Sequence, residues 1–315
     1  MYEKMSSANE KTQKLINIIQ QHARIHDIET THKKLLKIVE DGLSNLHIIC
    51  DFDCTMTRYF RSNGERNPGS HNILSASSRL TPEYKIEVKR LLDYYYPIEM
   101  NSAMTEEEKA PYMIEWWNKA HELLIGQNIN KNVLKDMVAE TEVAMRPGLD
   151  ELIEKCKNQN VPFLVFSAGL GDVIEQVLAA KNLFHPNNMH IVSNQMGFND
   201  ETGICDHFKE PLIHVFNKSE VMIKGSPYHE IIENRSNVIL MGDSVGDLQM
   251  SRGIHHDTCL TVGFLNNMID KFLITYLKTF DIVIIGDGPT DVVNFIIDYT
   301  NNSNNFNNNN SIKHS

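Results

Sequence analysis

The sequence predicts an α/β fold: a doubly wound parallel sheet covered by helices on both faces, with an all-helical segment inserted after the first strand. Three observations predict it. A short apolar run at 46–50 ends in polar residues, and no strand pattern follows between 60 and 145. From Arg146 onward, apolar runs alternate with helix-like segments. Such alternation is typical of a parallel sheet that is buried on both faces.

The first elements are helical. Apolar side chains recur with helical periodicity over residues 8–43, and the apolar run 46–50 then reads as a buried strand. The inserted segment opens with a loop rich in Gly, Asn, Pro and Ser at 62–70. Thr81, before a proline, and Thr105, before three glutamates, are favourable helix starts. The helices predicted in the insertion lie at 81–96, 105–126 and 130–141.

The remaining strands follow the insertion. They are predicted at 161–166, 189–193, 213–216, 237–241, 258–262 and 281–285. Ligands of such sheets bind outside the carboxyl ends of the strands, so an insertion after the first strand is expected to cap that edge. We therefore predict an α/β core at 1–58 and 146–300 and a helical cap at 59–145. The Asn-rich tail, 301–315, is low in complexity and is predicted to be disordered.

Two aspartates, Asp51 and Asp53, directly follow the first predicted strand. Side chains at i and i+2 project to the same side, so two carboxylates share a small volume. Two like charges at such a short distance need a positive neighbour, and oxygen ligands favour a hard cation such as Mg²⁺. One carboxylate can attack phosphorus while the other handles a proton. A strand that ends in a polar turn is the alternative interpretation.

Two later strand ends carry groups that suit a phosphate. Ser167-Ala168 follows the run at 161–166, and a hydroxyl with exposed N–H groups next to a helix start suits a phosphate oxygen. Lys218 follows the run at 213–216 and offers a point charge. A strand-end turn and a solvated surface lysine are the alternatives.

A second pair of aspartates, Asp243 and Asp247, follows the run at 237–241. Asp287 and Asp291 form a similar pair after the last strand. Spacing alone does not separate the two pairs, and each could also serve as a helix cap.

The aspartate pair, hydroxyl, lysine and distal aspartates, in this order, resemble the haloacid-dehalogenase (HAD) superfamily of phosphatases. The resemblance extends to the cytosolic 5′-nucleotidase III family and spans about residues 10–300. It implies a HAD-like core, Mg²⁺ as cofactor, and hydrolysis of nucleoside 5′-monophosphates, either pyrimidine nucleotides such as CMP and UMP or 7-methyl-GMP. The matching stretches are YYPIE at 95–99, PYMIEW at 111–116, FSAGLGDV at 166–173 and IHVFNK at 213–218.

The resemblance also implies catalytic roles. Asp51 is expected to be the nucleophile that forms an aspartyl-phosphate, and Asp53 the proton donor to the leaving 5′-oxygen. Mg²⁺ is expected on Asp51, on the backbone carbonyl of Asp53 and on Asp243. Asp247 is expected to orient Lys218 or a metal-bound water. The order of motifs favours Asp243 over the later pair, which leaves Asp287 as a turn and cap residue.

Substrate contacts are implied in the same way. Ser167, Ala168 and Lys218 are expected to bind the phosphate. Glu99 is expected to accept hydrogen bonds from the base, and Trp117 to face it; packing of both tryptophans in the core is the alternative. This chain has a tryptophan where some relatives have tyrosine, and Ala120 where a serine often occurs. An indole would favour a cationic methylated purine, whereas the missing hydroxyl removes one hydrogen bond.

The composition of the chain argues against several classes of function. The 315 residues carry a net charge of −11, which argues against nucleic acid or an anionic membrane as the main partner. No apolar run approaches the roughly 18 residues of a membrane span, and the first residues lack a secretory apolar stretch. Five scattered cysteines fit reduced cytosolic thiols. We therefore expect a cytoplasmic enzyme; the oligomeric state stays open, and a monomer is compatible with the sequence.

Two rival functions share these motifs. The first is a capped phosphatase that acts on another small phosphorylated metabolite, with a cap that does not bind a base. The second is a non-catalytic nucleotide-binding or phospho-accepting protein. The intact Asp53 argues against the second, because no other nearby residue would serve as acid and base.

Overall fold

The computed structural model describes residues 2–101, 103–219, 223–224 and 226–311, with the backbone alone at 2–6, 227 and 302–311. The strands of these residues are β1 (Leu46–Cys50), β2 (Phe163–Leu170), β3 (Met189–Asn194), β4 (Met196–Phe198), β5 (Cys205–Phe208), β6 (Asn237–Gly242), β7 (Thr258–Leu265) and β8 (Ile282–Ile285). Six form one parallel sheet in the order β3-β2-β1-β6-β7-β8, and β4 and β5 form an antiparallel hairpin. The predicted parallel α/β fold is confirmed.

Strand β1 lies in the middle of the sheet, between β2 and β6. Its last residue, Cys50, pairs with Val165 of β2 and with Met241 of β6. All of β1 is buried: Ile48 and Cys50 contact the core on one face, and Ile49 contacts the core on the other. Because side chains alternate between faces, an unbroken apolar run forms this strand. The residues after β1 therefore emerge between the ends of two neighbouring strands.

Helices cover both faces of the sheet. They are α1 (Tyr2–His22), α2 (Ile28–Asp41), α3 (Ser70–Ala76), α4 (Pro82–Glu99), α5 (Glu106–Ile125), α6 (Lys131–Ala139), α7 (Leu149–Asn158), α8 (Gly171–Ala180), α9 (Pro227–Ile232), α10 (Ile269–Thr279) and α11 (Asp291–Ser311). The larger core packs α1, α2, α7, α8 and α11 against one face of the sheet. A smaller core, which includes residues of α9, covers the other face. Within the described residues, none of the helices has the length and apolar character that a bilayer crossing requires.

The helices α3 to α6 lie between β1 and β2 in the sequence. The chain enters and leaves this segment at one place, where Thr57 and Met145 form an antiparallel bridge. Arg146 is buried there, and its guanidinium donates to Thr55 O at 2.5 Å and to Gly288 O at 2.7 Å. These contacts anchor both ends of the inserted segment to the carboxyl edge of the sheet.

Two elements of the structure were not predicted from the sequence. Helix α3 forms just after the predicted loop at 62–70, and the hairpin of β4 and β5 lies where no strand was expected. Both are short, so they carry too few periods of apolar residues to stand out in the sequence.

The predicted strand at 213–216 is not formed. The side chain of Asn194 accepts from Ile213 N at 2.9 Å and donates to Ile213 O at 2.8 Å. Asn217 Oδ1 accepts from His214 N at 2.7 Å. Side-chain amides thus satisfy backbone groups that a sheet would otherwise pair, and the segment remains a loop.

Helix α11 runs from Asp291 to Ser311 and so extends into the Asn-rich stretch, whose disorder stays a prediction. Its first turns bury Val292, Val293 and Ile296 in the larger core. Once a helix is nucleated, each added residue gains a further hydrogen bond, which extends it into the Asn-rich stretch. Residues 312–315, also predicted to be disordered, lie outside the described residues.

Candidate active site

Asp51 and Asp53 lie on the loop that leaves β1. Residues 52–56 form a single π-helical turn in which Asp53 and Cys54 depart from helical dihedral angles, with a φ of 65° at Cys54. This irregular turn separates the two carboxylates, and each has its own partners.

The carboxylate of Asp51 faces a lysine. Lys218 Nζ donates to Asp51 Oδ1 at 2.5 Å and to Asp247 Oδ1 at 3.0 Å. All three side chains are almost fully buried. Burial raises the pKa of Asp51, which Lys218 opposes. Burial acts to lower the pKa of Lys218, but Asp247 and Asp51 outweigh it and the pKa is raised. The ammonium therefore stays charged.

Asp243 adds a third carboxylate to this cluster. It follows Gly242, and ligand oxygens of Asp51, Asp243 and Asp247 lie within 4.8 Å of one another. Burial raises the pKa of Asp243 well above its usual value, and the charges of Asp51 and Asp247 raise it further. A buried cluster of carboxylate oxygens with repelling charges fits a hard divalent cation such as Mg²⁺.

Gly242 is required by the position of Asp247. A Cβ at Gly242 would lie 2.5 Å from Asp247 Cβ. Asp247 Oδ2 accepts from Ser244 N at 2.9 Å and from Ser244 Oγ at 3.0 Å, so its carboxylate is held while Oδ1 faces Lys218. This geometry agrees with the expectation that Asp247 orients Lys218, and it also places Asp247 beside Asp243.

The carboxylate of Asp53 lies outside the three-carboxylate cluster. It accepts from Ser70 N at 2.9 Å and from Ser70 Oγ at 3.0 Å, at the first residue of α3. Burial raises the pKa of Asp53, which the two bonds from Ser70 oppose. The sequence did not single out Ser70; a serine ahead of an apolar helical stretch was the available signal.

The end of β2 approaches α3 closely. A Cβ at Gly169 would lie 1.9 Å from Ser70 Oγ, so only glycine fits there. Ser167 Oγ accepts from Gly169 N at 3.0 Å. Ala168 O accepts from Asn194 Nδ2 and from Trp117 Nε1, both at 2.8 Å. Ser167 and Ala168 are thus fixed beside Asp53, next to the loop of Asp51.

Trp116 and Trp117 have different surroundings. Trp116 stacks on Tyr95, with ring centroids 5.8 Å apart, within a cluster of the inserted helices. Trp117 bonds to the β2 end and lies edge-on to His71, with centroids 6.1 Å apart. Among the described residues His71 Nε2 is buried without a hydrogen-bond partner. Trp117 therefore links the inserted helices to the end of β2 and also packs against two apolar clusters. His71 is a neighbour that the sequence did not indicate.

Glu99 is the last residue of α4. Burial raises the pKa of its carboxyl to about 6, which Lys109 and Lys218 oppose. Lys109 Nζ donates to Glu99 O at 2.9 Å. The charge of Lys218 acts on Glu99, and Trp117 shares a cluster with residues of α4. Lys109 Nζ also lies 5.5 Å from the ring centroid of Phe216, so the end of α4 lies near the loop that leads to Lys218.

Asp287 occupies a different place. It accepts from Tyr59 N at 2.8 Å and from Phe60 N at 3.2 Å, and it pairs with Arg58 Nε at 3.1 Å. Its carboxylate also lies 3.4 Å from Arg146 Nη1. Asp287 thus holds residues 58–60, where the chain enters the insertion. It is absent from the carboxylate cluster of the described residues.

Comparison with known proteins gives concordant matches. The profile of the pyrimidine 5′-nucleotidase (UMPH-1) family matches residues 54–301. The 7-methylguanosine phosphate-specific 5′-nucleotidase of Gallus gallus is 42% identical over 277 residues, which cover 88% of this chain and 95% of the relative. That of Homo sapiens is 38% identical over 283 residues, with coverage of 90% and 91%.

Solved structures agree with these matches. A crystal structure of cytosolic 5′-nucleotidase IIIB bound to cytidine aligns with a TM-score of 0.87 and 32% identity, and covers 93% of this chain and 98% of that one. A HAD family hydrolase from Salmonella enterica aligns with a TM-score of 0.53 at 16% identity, which supports the fold alone.

Proposed function

Because this chain belongs to the pyrimidine 5′-nucleotidase (UMPH-1) family and is a 5′-nucleotidase, we propose that it hydrolyses nucleoside 5′-monophosphates through an aspartyl-phosphate on Asp51. The observation that carries the proposal is the group formed by buried Asp51, Lys218 and Asp247 with half-buried Asp243 at the end of the central strand. It combines a nucleophile, a fixed positive charge and a set of cation ligands in one place.

In the first step, an oxygen of Asp51 attacks phosphorus and the bond from phosphorus to the 5′-oxygen breaks. Asp53 gives its proton to the leaving 5′-oxygen. A buried carboxyl with a raised pKa suits that role, because it retains a proton to donate. Ser70 holds the Asp53 carboxyl by two hydrogen bonds, which fixes its direction.

In the second step, Asp53 accepts a proton from water while the water oxygen attacks phosphorus. The bond between phosphorus and Asp51 breaks, and inorganic phosphate leaves. Lys218 and the N–H groups near Ser167 and Ala168 are proposed to hold the phosphate oxygens throughout.

Mg²⁺ is the proposed cofactor, held by Asp51, Asp243 and the backbone carbonyl of Asp53. When bound, it neutralises charge on the phosphoryl oxygens and on the surrounding carboxylates. Asp247 is proposed to orient Lys218 or a metal-bound water. Residues 59–145 are proposed to act as a cap over this site, and 1–58 with 146–300 as the catalytic core.

The base is proposed to lie between the site and the cap. Glu99 would accept hydrogen bonds from its edge, and Trp117 would contact its face. The named activities of the relatives support 7-methyl-GMP as substrate, and the cytidine bound to the related structure supports CMP. Cytosolic residence is proposed from the name of that structural relative and from the reduced cysteines.

A phosphate-release panel tests the proposal. It compares 7-methyl-GMP, CMP, UMP, AMP, small sugar phosphates and p-nitrophenyl phosphate under identical conditions with Mg²⁺. We expect the highest kcat/KM for 7-methyl-GMP or a pyrimidine nucleotide. A preference for sugar phosphates over every nucleotide would contradict the proposal and favour a general capped phosphatase.

A further inference from the structure

Cys54, the residue after Asp53, has a backbone conformation that residues with a side chain rarely adopt. Its φ is 65° and its ψ is 3°, in the left-handed region. There the Cβ atom approaches the following carbonyl oxygen, so residues other than glycine are uncommon. Such conformations persist only where the surrounding structure holds them, and they concentrate at functional sites. The contacts that hold Cys54 therefore bear on the function of this turn.

Side chains bond both backbone polar groups of Cys54. Its N donates to Thr57 Oγ1 at 2.9 Å. Its O accepts from Asn266 Nδ2 at 2.9 Å and also from Arg146 Nη2. Asn266 Oδ1 in turn accepts from the same Nη2 at 3.0 Å. Asn266 and Arg146 thus bond to each other as well as to Cys54 O, and we call this pair the carbonyl clamp.

The carbonyl clamp is buried, and its two members come from distant parts of the chain. Asn266 directly follows β7, and Arg146 lies where the chain leaves the insertion; they are 8% and 1% exposed. The guanidinium also donates to Thr55 O at 2.5 Å and lies 4.1 Å from the ring centroid of Phe264. A buried charge is by itself weak evidence for a stabilising role, because its removal from water is costly. Its bonds to successive carbonyls indicate that it fixes the shape of this turn.

The shape of the turn determines the direction of Asp53. Both ends of the turn are held, because Asp51 N donates to a carbonyl of β6 at 3.0 Å and Thr57 bridges to the exit of the insertion. With both ends held, a change of φ at Cys54 must be compensated at its neighbours. Asp53 is such a neighbour and also departs from helical dihedral angles. Loss of the left-handed conformation would therefore turn the Asp53 side chain.

We propose that Asn266 and Arg146 are positioning residues, which hold Cys54 in the left-handed conformation and thereby direct the Asp53 carboxyl toward the leaving oxygen. Ser70 bonds the carboxylate itself, and the carbonyl clamp fixes the backbone that carries it. The proposal rests on the proposed function, because it assumes that Asp53 protonates the leaving 5′-oxygen. Neither member of the clamp needs to touch the substrate.

The test compares two substrates that differ in their need for a proton donor. The 5′-oxygen of a nucleoside is a poor leaving group that requires protonation, whereas p-nitrophenolate leaves without it. The value of kcat/KM reports the steps up to departure of the leaving group. The ratio of kcat/KM for the preferred nucleotide to that for p-nitrophenyl phosphate therefore measures how well the donor is placed. General damage to the fold or to the cation site lowers both values and largely cancels.

Asn266→Ala should lower this ratio roughly tenfold, which is part of the ~10²–10⁴-fold that a positioned acid contributes. Asn294→Ala is the matched control. Asn294 is also buried, and its Nδ2 donates to one backbone carbonyl, Gly148 O, at 2.9 Å. The control should destabilise the fold, measured by urea unfolding, without lowering the ratio. The same ratio in both variants would overturn the proposal.

A second substitution at Cys54 tests whether the clamp acts through backbone conformation. Cys54→Gly, added to Asn266→Ala, should restore part of the ratio, because glycine adopts a positive φ without the Cβ penalty. Cys54→Ala in the same background is the control, since it keeps Cβ but also loses the sulfur, which lies 3.3 Å from Arg66 Nη2. A ratio no higher with glycine than with alanine would overturn the proposal.

If Asn266→Ala does not fold, substitutions of Cys54 in the otherwise unaltered protein decide. Cys54→Val introduces a β-branched side chain, which disfavours a positive φ more strongly than alanine does. The ratio should therefore be lower in Cys54→Val than in Cys54→Ala. Equal ratios in these two variants would overturn the proposal.

Asp53→Asn separates this proposal from the proposed function. The amide has no acidic proton to give, so the ratio should fall further than in Asn266→Ala. An unchanged ratio in Asp53→Asn would contradict the role of Asp53 as proton donor. A low ratio in Asp53→Asn, together with an unchanged ratio in Asn266→Ala, would overturn the role of the carbonyl clamp alone.

Discussion

At the scale of single residues, the site separates two aspartates that are only two positions apart. Asp51 joins Lys218 and the carboxylate cluster, whereas Asp53 is held by Ser70. The left-handed conformation at Cys54 helps to produce this divergence. The proposed nucleophile and the proposed proton donor thus have different electrostatic surroundings, which would allow one pair of carboxylates to perform two roles.

Ser70→Ala tests whether Ser70 positions the carboxyl group of Asp53. The change removes one of two hydrogen bonds to Asp53, and loss of a bond to a charged group costs about 1.5–3 kcal/mol, so kcat should fall roughly ten- to a hundredfold. Steady-state kinetics with one nucleotide measures it. Ser75→Ala is the matched control, since Ser75 lies on the same helix and its hydroxyl donates to His71 O, away from Asp53. Equal kcat values in the two variants would contradict the assignment.

The two acidic turns are expected to respond differently to substitution. Asp243→Asn should raise the Mg²⁺ concentration needed for half-maximal rate or eliminate activity, because it removes a ligand. Asp287→Asn should leave the Mg²⁺ requirement unchanged but destabilise the fold by about 3 kcal/mol, because buried Arg146 loses a charged partner. Metal titration and urea unfolding measure these effects. A raised Mg²⁺ requirement in Asp287→Asn alone would mean that the wrong pair was chosen.

Residue patterns indicated those candidate site residues that follow apolar runs in the sequence. Asp51, Ser167 and Asp243 each follow an apolar run, and parallel topology brings such positions together. Ser70 and His71 follow no strand, and they reach the site only because the chain returns after a loop. Their roles depend on the fold of the insertion, which local sequence does not encode.

At the scale of secondary structure, the loop at 213–217 shows how side chains replace sheet pairing. Asn194 ends β3 and bonds both backbone groups of Ile213 as well as Ala168 O. It therefore ties the β2 end to the loop that leads to Lys218. The apolar run at 213–216 has the composition of a strand, and the sequence alone does not reveal that an amide 19 residues earlier takes its hydrogen bonds.

Asn194→Ala should remove the hydrogen bonds that hold both the end of β2 and the loop at 213–217. It leaves four buried backbone groups, Ala168 O, Gly169 O, Ile213 O and Ile213 N, without this partner. Each group that stays unpaired costs about 1–3 kcal/mol, so stability should fall by several kcal/mol. Urea unfolding measures the loss, and kcat should fall as well, because the β2 end and the Lys218 loop both lose their position. Asn188→Ala is a graded control, since Asn188 makes a single such bond, to Val161 O. A smaller destabilisation in Asn194→Ala than in Asn188→Ala would contradict this role.

At the scale of the whole molecule, the inserted helices and the sheet meet at the proposed substrate site. The chain crosses between them only near Thr57 and Met145, and Trp117 bonds across to Ala168 O. Because the net charge is −11, attraction of an anionic nucleotide must be local, and we propose Lys218 and Mg²⁺ as its sources. Helix starts and apolar periodicity were sufficient to predict the helical insertion. They did not predict the contact that joins it to the sheet.

Two substitutions of Trp117 separate this contact from recognition of the base. Trp117→Phe keeps an aromatic face but removes the hydrogen bond to Ala168 O, so kcat/KM should fall about tenfold for 7-methyl-GMP and CMP alike. Trp117→Ala should reduce kcat/KM for 7-methyl-GMP more than for CMP, because a cation–π contact is lost as well. Kinetics with both substrates measures the difference. Unchanged kcat/KM for both nucleotides in Trp117→Phe would show that this hydrogen bond does not position the end of β2 for catalysis.

The central claim is that phosphate is transferred to Asp51 before water releases it. The most direct measurement is rapid acid quenching of Asp53→Asn during turnover of its preferred nucleotide, followed by mass spectrometry of the peptides. Asp53→Asn slows both formation and breakdown of the intermediate, and we expect the quenched protein to carry a phosphoryl group on the peptide that contains Asp51, with none in Asp51→Asn. Near-normal turnover by Asp51→Asn, with no phosphorylated peptide in Asp53→Asn, would contradict the account.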